Sequence, residues 1–189
     1  MSSRFAILSA IPAELIGFPD EEFESQILYT GVGKINATKA IMKHAVHLKE
    51  WNYSVINYGT AAKVCPNVDV GKLYEVTNFI QRDMDVTPLG FQNYETPWGN
   101  INISFLTTTL DGISCGTGDS FYLHGESKQT DYDIVDMEAY ALASVCKSYE
   151  IPFRCFKYVS DAGDPVEWKE NASKGVDLFL NKLNEITQG

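Results

Sequence analysis

Arginine is scarce in this chain: Arg4, Arg82 and Arg154 are the only three among 189 residues. Lysine and arginine together number 15 against 25 aspartates and glutamates, a formal net charge of −10. Contacts to a nucleic-acid backbone need clustered cations, so nucleic acid and anionic membrane are excluded as partners. Acidity of this size mainly keeps a protein soluble and says nothing of its fold. No apolar run nears the roughly 20 residues that span a bilayer. Met1-Ser2-Ser3-Arg4 passes straight into an apolar strand pattern, without signal-peptide architecture. Cys65, Cys115, Cys146 and Cys155 form no C-x-x-C pair, and free thiols in a reducing cytoplasm are the expectation. His44, His47 and His124 have no metal-ligand spacing, so neither a metal nor an organic cofactor is indicated. Internal repeats, low-complexity stretches and linkers are absent too. Residues 1–189 therefore read as one domain around one core.

What is present is an alternation of strand and helix patterns. Residues 4–10 form a nearly continuous apolar run ending at small residues, the pattern of a strand buried on both faces. Residues 25–30 read as a second strand, stopped by Gly31-Val32-Gly33. From Ile35 to about Lys49, Ala37, Ile41, Ala45 and Leu48 recur at helical spacing. Ser54 to Asn57 is a short β run closed by Gly59. Val70–Gln81 and Ile101–Thr107 make the middle strand-rich, with Pro88, Gly90, Pro97, Gly99 and Asn100 as turn formers. A helix is expected from Glu138 to Tyr149, a strand from Phe153 to Ser160, and a final amphipathic helix from about Lys169. The expected class is α/β, with a central mixed sheet flanked by helices in three layers.

In such sheets ligands collect beyond the carboxyl ends of strands. Those places hold Ala10-Ile-Pro-Ala-Glu14, Gly31-Val-Gly-Lys34, Gly59-Thr-Ala-Ala62, Gly116-Thr-Gly-Asp-Ser-Phe-Tyr122, Asp136-Met-Glu138 and Ser160-Asp161-Ala-Gly-Asp164. Each alone has a plain structural use. Glycines serve strand-to-helix turns, Asp161 suits a helix N-cap, and Glu138 at a helix start favours the dipole. The glycines match neither a dinucleotide fingerprint nor a P-loop, and no nucleophile elbow is present.

Taken together and in order, the blocks resemble the methylthioadenosine/S-adenosylhomocysteine nucleosidases, within the wider nucleoside phosphorylase-like superfamily. Gly31-Val-Gly-Lys-Ile-Asn36 is similar to that family's glycine turn, and Asn57-Tyr-Gly-Thr-Ala-Ala62 to its small-residue loop. Asp83-Met-Asp-Val-Thr-Pro-Leu-Gly90 resembles the segment that often reaches the neighbouring subunit's site in these dimers. Thr117-Gly-Asp-Ser-Phe121 looks like the purine-binding turn. Val135-Asp-Met-Glu-Ala139 and Val159-Ser-Asp-Ala162 match the two most diagnostic blocks.

The resemblance implies a small-molecule nucleoside as substrate, a homodimer, and hydrolysis of a purine nucleoside's N-glycosidic bond. Asp161 would be the general acid at the purine N7, oriented by Ser160. Glu138 would accept the ribose hydroxyls and stabilise the oxocarbenium-like state, with Met137 under the sugar. Glu14 would activate water. Phe121 would stack on the base and the Tyr122 backbone would read its edge, while Thr60, Ala61 and Asp136 complete the binding set. A phosphate cradle would want arginines, and Glu14 and Thr60 to Ala62 stand there instead, which favours water as nucleophile. Lys34 or Lys63 leaves phosphorolysis open, and a nucleoside-binding protein without turnover is the non-enzyme reading.

Two departures bear on the substrate. Only about sixteen residues separate Glu14 from Gly31, where the family usually has room for an extra pair of strands. The small-residue loop reads Thr60-Ala61-Ala62-Lys63 instead of Ser/Thr-Ala-Gly-Gly. Methylthioadenosine and adenosylhomocysteine lead as substrates, with adenosine, inosine and a futalosine-type nucleoside behind them.

Overall fold

The computed structural model describes residues 4–19, 25–97, 102–104, 112–124 and 131–188. The chain runs β1 (Arg4–Ser9), a 3₁₀ turn (Pro12–Leu15), β2 (Ser25–Tyr29), α1 (Lys34–Met42), α2 (Ala45–Glu50), β3 (Tyr53–Lys63) and β4 (Leu73–Gln81). It continues through β5 (Asn102–Ser104), β6 (Ile113–Thr117), β7 (Ile134–Asp136), α3 (Ala139–Ser148), β8 (Phe153–Asp161), α4 (Pro165–Asn171) and α5 (Val176–Gln188).

β1 pairs in parallel with both β2 and β3, and β3 in parallel with β8. β8 runs antiparallel to β4, β4 parallel to β6, β6 parallel to β7, and β7 antiparallel to the far end of β3. The ring β3-β8-β4-β6-β7 thus closes on itself as a small barrel, while β1 and β2 extend it as an open wing and β5 flanks β4. Closure removes sheet edges that would otherwise need covering.

Both faces of the sheet are covered, which is why β1 reads as an unbroken apolar run. Ala6 and Leu8 face a layer formed with Ala37, Ile41, Ala45 and Leu48 of α1 and α2 and Leu142, Ala143 and Cys146 of α3. Phe5 and Ile7 face the other way, onto Val176, Phe179 and Leu183 of α5, together with Ile56, Tyr58, Phe156 and Tyr158. The architecture is the expected three-layer α/β fold with a mixed sheet.

Several boundaries differ from the sequence expectation, each for a physical reason. The helix expected over 35–49 is two helices, broken at Lys43–His44 by a tight turn in which the His44 amide bonds the Ile41 carbonyl. The final helix is likewise two, α4 and α5. β3 does not stop at Gly59. A Cβ there would stand 3.1 Å from a Glu14 carboxylate oxygen and 3.3 Å from Lys157 Nζ, so the glycine makes room for two charged groups inside a continuing strand. Ile101 and residues 105–107, with Gly99 and Asn100, lie outside the described residues.

Candidate active site

A cavity of about 190 Å³ opens at the ends of β1, β3, β7 and β8. Glu14, Thr60, Ala61, Phe121, Tyr122, Asp136, Met137, Glu138 and Asp161 all line it. Of the catalytic and nucleoside-binding residues expected from sequence, Ser160 alone stays off its wall; Lys34 and Lys63, the two candidate phosphate ligands, also lie outside it. Ser160 is fully buried behind Asp161 and reaches the site through it.

Four carboxylates line the cavity, Glu14, Asp136, Glu138 and Asp161, each held differently. Glu14, 4 % exposed, sits on the 3₁₀ turn after β1. Its Oε2 accepts from Ser9 Oγ (2.7 Å) and the Ala10 amide (3.1 Å), and its Oε1 from the Thr60 amide (2.8 Å) and Thr60 Oγ (2.9 Å). Asp161 ends β8. Its Oδ2 accepts from Ser160 Oγ at 2.7 Å and its Oδ1 from the amides of Gly163 (2.7 Å) and Asp164 (3.3 Å). The cap of α4 is Asp164, whose side chain accepts from the Val166 amide, so Asp161 is not spent on that helix.

Glu138 occupies the N-cap position of α3 but does not cap it. Its Oε1 reaches across to the amide of Gly33 at 2.8 Å, a residue at φ +92° that only glycine adopts readily. The capping is done by Asp136, whose Oδ2 accepts from the amides of Glu138 (3.3 Å) and Ala139 (2.8 Å). Asp136 also accepts from Thr117 Oγ1 at 2.6 Å and pairs with Lys157 Nζ at 2.8 Å. Although it lines the cavity, both of its oxygens are committed to protein partners.

Lys157, a buried cation behind the cavity, was not singled out from sequence. It is 1 % exposed, buried mid-strand in β8 beside Asp136, and Glu138 and Glu14 lie close enough to add to its field. The available signal was a lone lysine inside the aromatic and apolar run Phe153–Val159. Burial opposes its ammonium, but the Asp136 carboxylate outweighs that and holds the lysine well above its usual range. Burial likewise pushes Asp136 up, and the Lys157 charge overcomes it, so the Asp136 carboxyl lies below the usual value. Trp168, on α4, was also missed. It lines the cavity and donates from Nε1 to Thr60 Oγ1 at 3.0 Å.

Burial, followed by the negative charge of Asp136, raises the Glu138 carboxyl from 4.5 to about 7. A carboxyl raised on folding favours the folded state fully below its unfolded value, and that contribution is lost as pH climbs through the folded value. Ionised Glu138 therefore weighs against the fold above about pH 7. Glu138→Gln keeps an acceptor for Gly33 and removes the charge. Its melting temperature should exceed that of the wild type by several degrees at pH 8 and match it near pH 4.5, as measured by calorimetry.

Lys34, one of the two lysines that could have met phosphate, is engaged with Asp83 at 2.5 Å and stands 3.8 Å from Asp119. Among the described residues no group of three or more His, Cys, Asp or Glu side chains could hold a metal ion. The Asp83–Gly90 segment carries Leu89 at 74 % exposure.

The sequence profile of the phosphorylase superfamily matches residues 26–187. A 5′-methylthioadenosine/S-adenosylhomocysteine nucleosidase of Actinobacillus succinogenes is 30 % identical over 73 % of this chain and 68 % of its own length. That of Anoxybacillus flavithermus is 28 % identical over 84 % and 81 %. Among solved structures, a futalosine hydrolase of Helicobacter pylori superposes with a TM-score of 0.82 at 17 % identity, covering 98 % of this chain and 99 % of that one. A Helicobacter pylori nucleosidase mutant with 5′-methylthioadenosine in its active site gives 0.83 at 16 % identity, covering 98 % and 100 %. With the matched profile spanning most of its length, this chain belongs to the phosphorylase superfamily.

Proposed function

We propose that this protein hydrolyses the N-glycosidic bond of a purine nucleoside, of the 5′-methylthioadenosine or S-adenosylhomocysteine type, to the free base and a ribose sugar. The observation that carries the reading is the convergence of Glu14, Glu138 and Asp161, from three different strand ends, on one cavity.

The three carboxylates divide the work. The purine leaves poorly as an anion, so Asp161 delivers a proton to N7 as the bond to C1′ breaks. Phe121, 39 % exposed and on the cavity wall, stacks on the base, and the Tyr122 backbone reads its edge. Positive charge grows on the ribose. Glu138, with Oε1 held by Gly33, turns Oε2 to the ribose hydroxyls and supplies the opposing charge, while Met137 packs under the sugar. Glu14 takes the proton of the attacking water. Phosphate is disfavoured because Glu14 and Thr60 stand where its cradle would be, and the buried Lys157 is already paired.

The protein acts as a homodimer in the cytoplasm. The exposed Leu89 segment and the resemblance to dimeric nucleosidases support the first, and four free thiols support the second. Chromatography of purine released from methylthioadenosine, adenosylhomocysteine, adenosine and inosine tests the function. Release from the thio-substituted nucleosides ahead of inosine is expected. Binding without release from any of them would leave a nucleoside-binding protein instead.

A further inference from the structure

A carboxylate offers about four lone-pair sites, and those of Glu14 are filled by Ser9 Oγ, the Ala10 amide, the Thr60 amide and Thr60 Oγ. Amides on a strand and turn cannot rotate away, so only the two hydroxyls could yield. The Thr60 hydroxyl is not free to do so. The indole Nε1 of Trp168 lies 3.0 Å from the same Oγ1, and an indole N–H only donates. Thr60 Oγ1 must accept from it, which turns its single proton to Glu14 Oε1. The indole is itself held in place. Asp164 caps α4, Pro165 opens it, and at its far end Asn171 Nδ2 donates to the Ser160 carbonyl at 2.7 Å.

We propose that Trp168 is a positioning residue for the hydrolysis, acting on Glu14 through the Thr60 hydroxyl. The indole commits Oε1 to protein donors and fixes the carboxylate plane, so of the four donors only the Ser9 hydroxyl, on Oε2, is left to give way to water. There an O–H bond of water breaks and its proton passes to Oε2. The water oxygen bonds to C1′, and the electrons of the glycosidic bond leave with the base. This assignment rests on the nucleosidase reading.

The test is a double-mutant cycle with Trp168→Phe, which keeps most of the ring and loses the N–H, and Thr60→Val, which loses the hydroxyl. Each should lower kcat about tenfold with KM changed less than about twofold. The pair together should be no worse than Thr60→Val alone, because the indole acts only through that hydroxyl. Thr60→Ser should restore most of kcat. Losses that multiply, or a Trp168→Phe effect confined to KM, would make the indole a mere wall and overturn the proposal. A second readout needs no turnover. The indole N–H resonance that disappears in Trp168→Phe should shift in Thr60→Val, and an unmoved resonance overturns the hydrogen bond itself. If the resonance shifts but the wild type releases no base, it is the nucleosidase reading that falls.

Discussion

Asp161→Asn is expected to lower kcat about a thousandfold while leaving nucleoside affinity within a few-fold of the wild type. The amide that replaces the acid keeps an oxygen for the Gly163 and Asp164 amides that Oδ1 now serves, so the loop keeps its shape. It keeps N–H groups able to bond N7, so the base still binds. What it lacks is a proton to release. The surroundings of Asp161 suit an acid reset at every turnover. Ser160 Oγ lies 2.7 Å from Oδ2 and 3.4 Å from the Ala61 carbonyl. The hydroxyl can donate to the carboxylate, or turn to Ala61 and accept from the protonated acid, so both states find a partner. Single-turnover kinetics with a binding measurement on the variant checks the expectation. Turnover near the wild-type rate would remove Asp161 from the role of acid.

Lys157→Met should cost about 3–5 kcal/mol of stability and lower the melting temperature by about 10 °C, because it leaves the Asp136 carboxylate buried and uncompensated. Asp136, lowered on folding, contributes stability above its unfolded value and loses it as pH falls through the folded one. Lys157, raised on folding, contributes below its unfolded value and loses it as pH rises through the folded one. The pair's contribution in the wild type should therefore be flat between about pH 4 and pH 10, whereas without Lys157 burial raises the Asp136 carboxyl, so the deficit should grow as pH rises above about 4. Adding Asp136→Asn should recover part of it, since the two charges are then removed together. Denaturant unfolding across that range measures both effects. An unchanged midpoint in Lys157→Met would mean that the pair carries no stability. Activity should also fall, because Asp136 caps α3 and thereby places Glu138.

Much of this site was visible in the linear sequence. Carboxylates and small residues fall just after apolar strands, and the covered sheet makes those strands read as continuous runs such as Phe5 to Leu8. What stayed hidden depends on contacts between distant parts of the chain. Gly59 looks like a strand stop until Glu14, far earlier in the chain, is seen against it. Glu138 looks like a helix-start carboxylate, but Asp136 takes the cap and frees Glu138 for Gly33, 105 residues away. The closure of β3, β8, β4, β6 and β7 into a ring follows from pairings that no local pattern encodes. Little in the sequence marks Lys157, since burial cannot be read from residue type, and Trp168 gains meaning only from its bond to Thr60.

On the proposed mechanism water, activated by Glu14, attacks a nucleoside whose base is protonated by Asp161. The most direct measurement is the identity of the sugar product when base is released with and without inorganic phosphate, followed by phosphorus NMR. The free ribose sugar is expected at the same rate in both buffers, with no phosphorus signal beyond inorganic phosphate. A sugar 1-phosphate, formed only when phosphate is supplied, would contradict that mechanism and place a phosphate where Glu14 and Thr60 are held to exclude one.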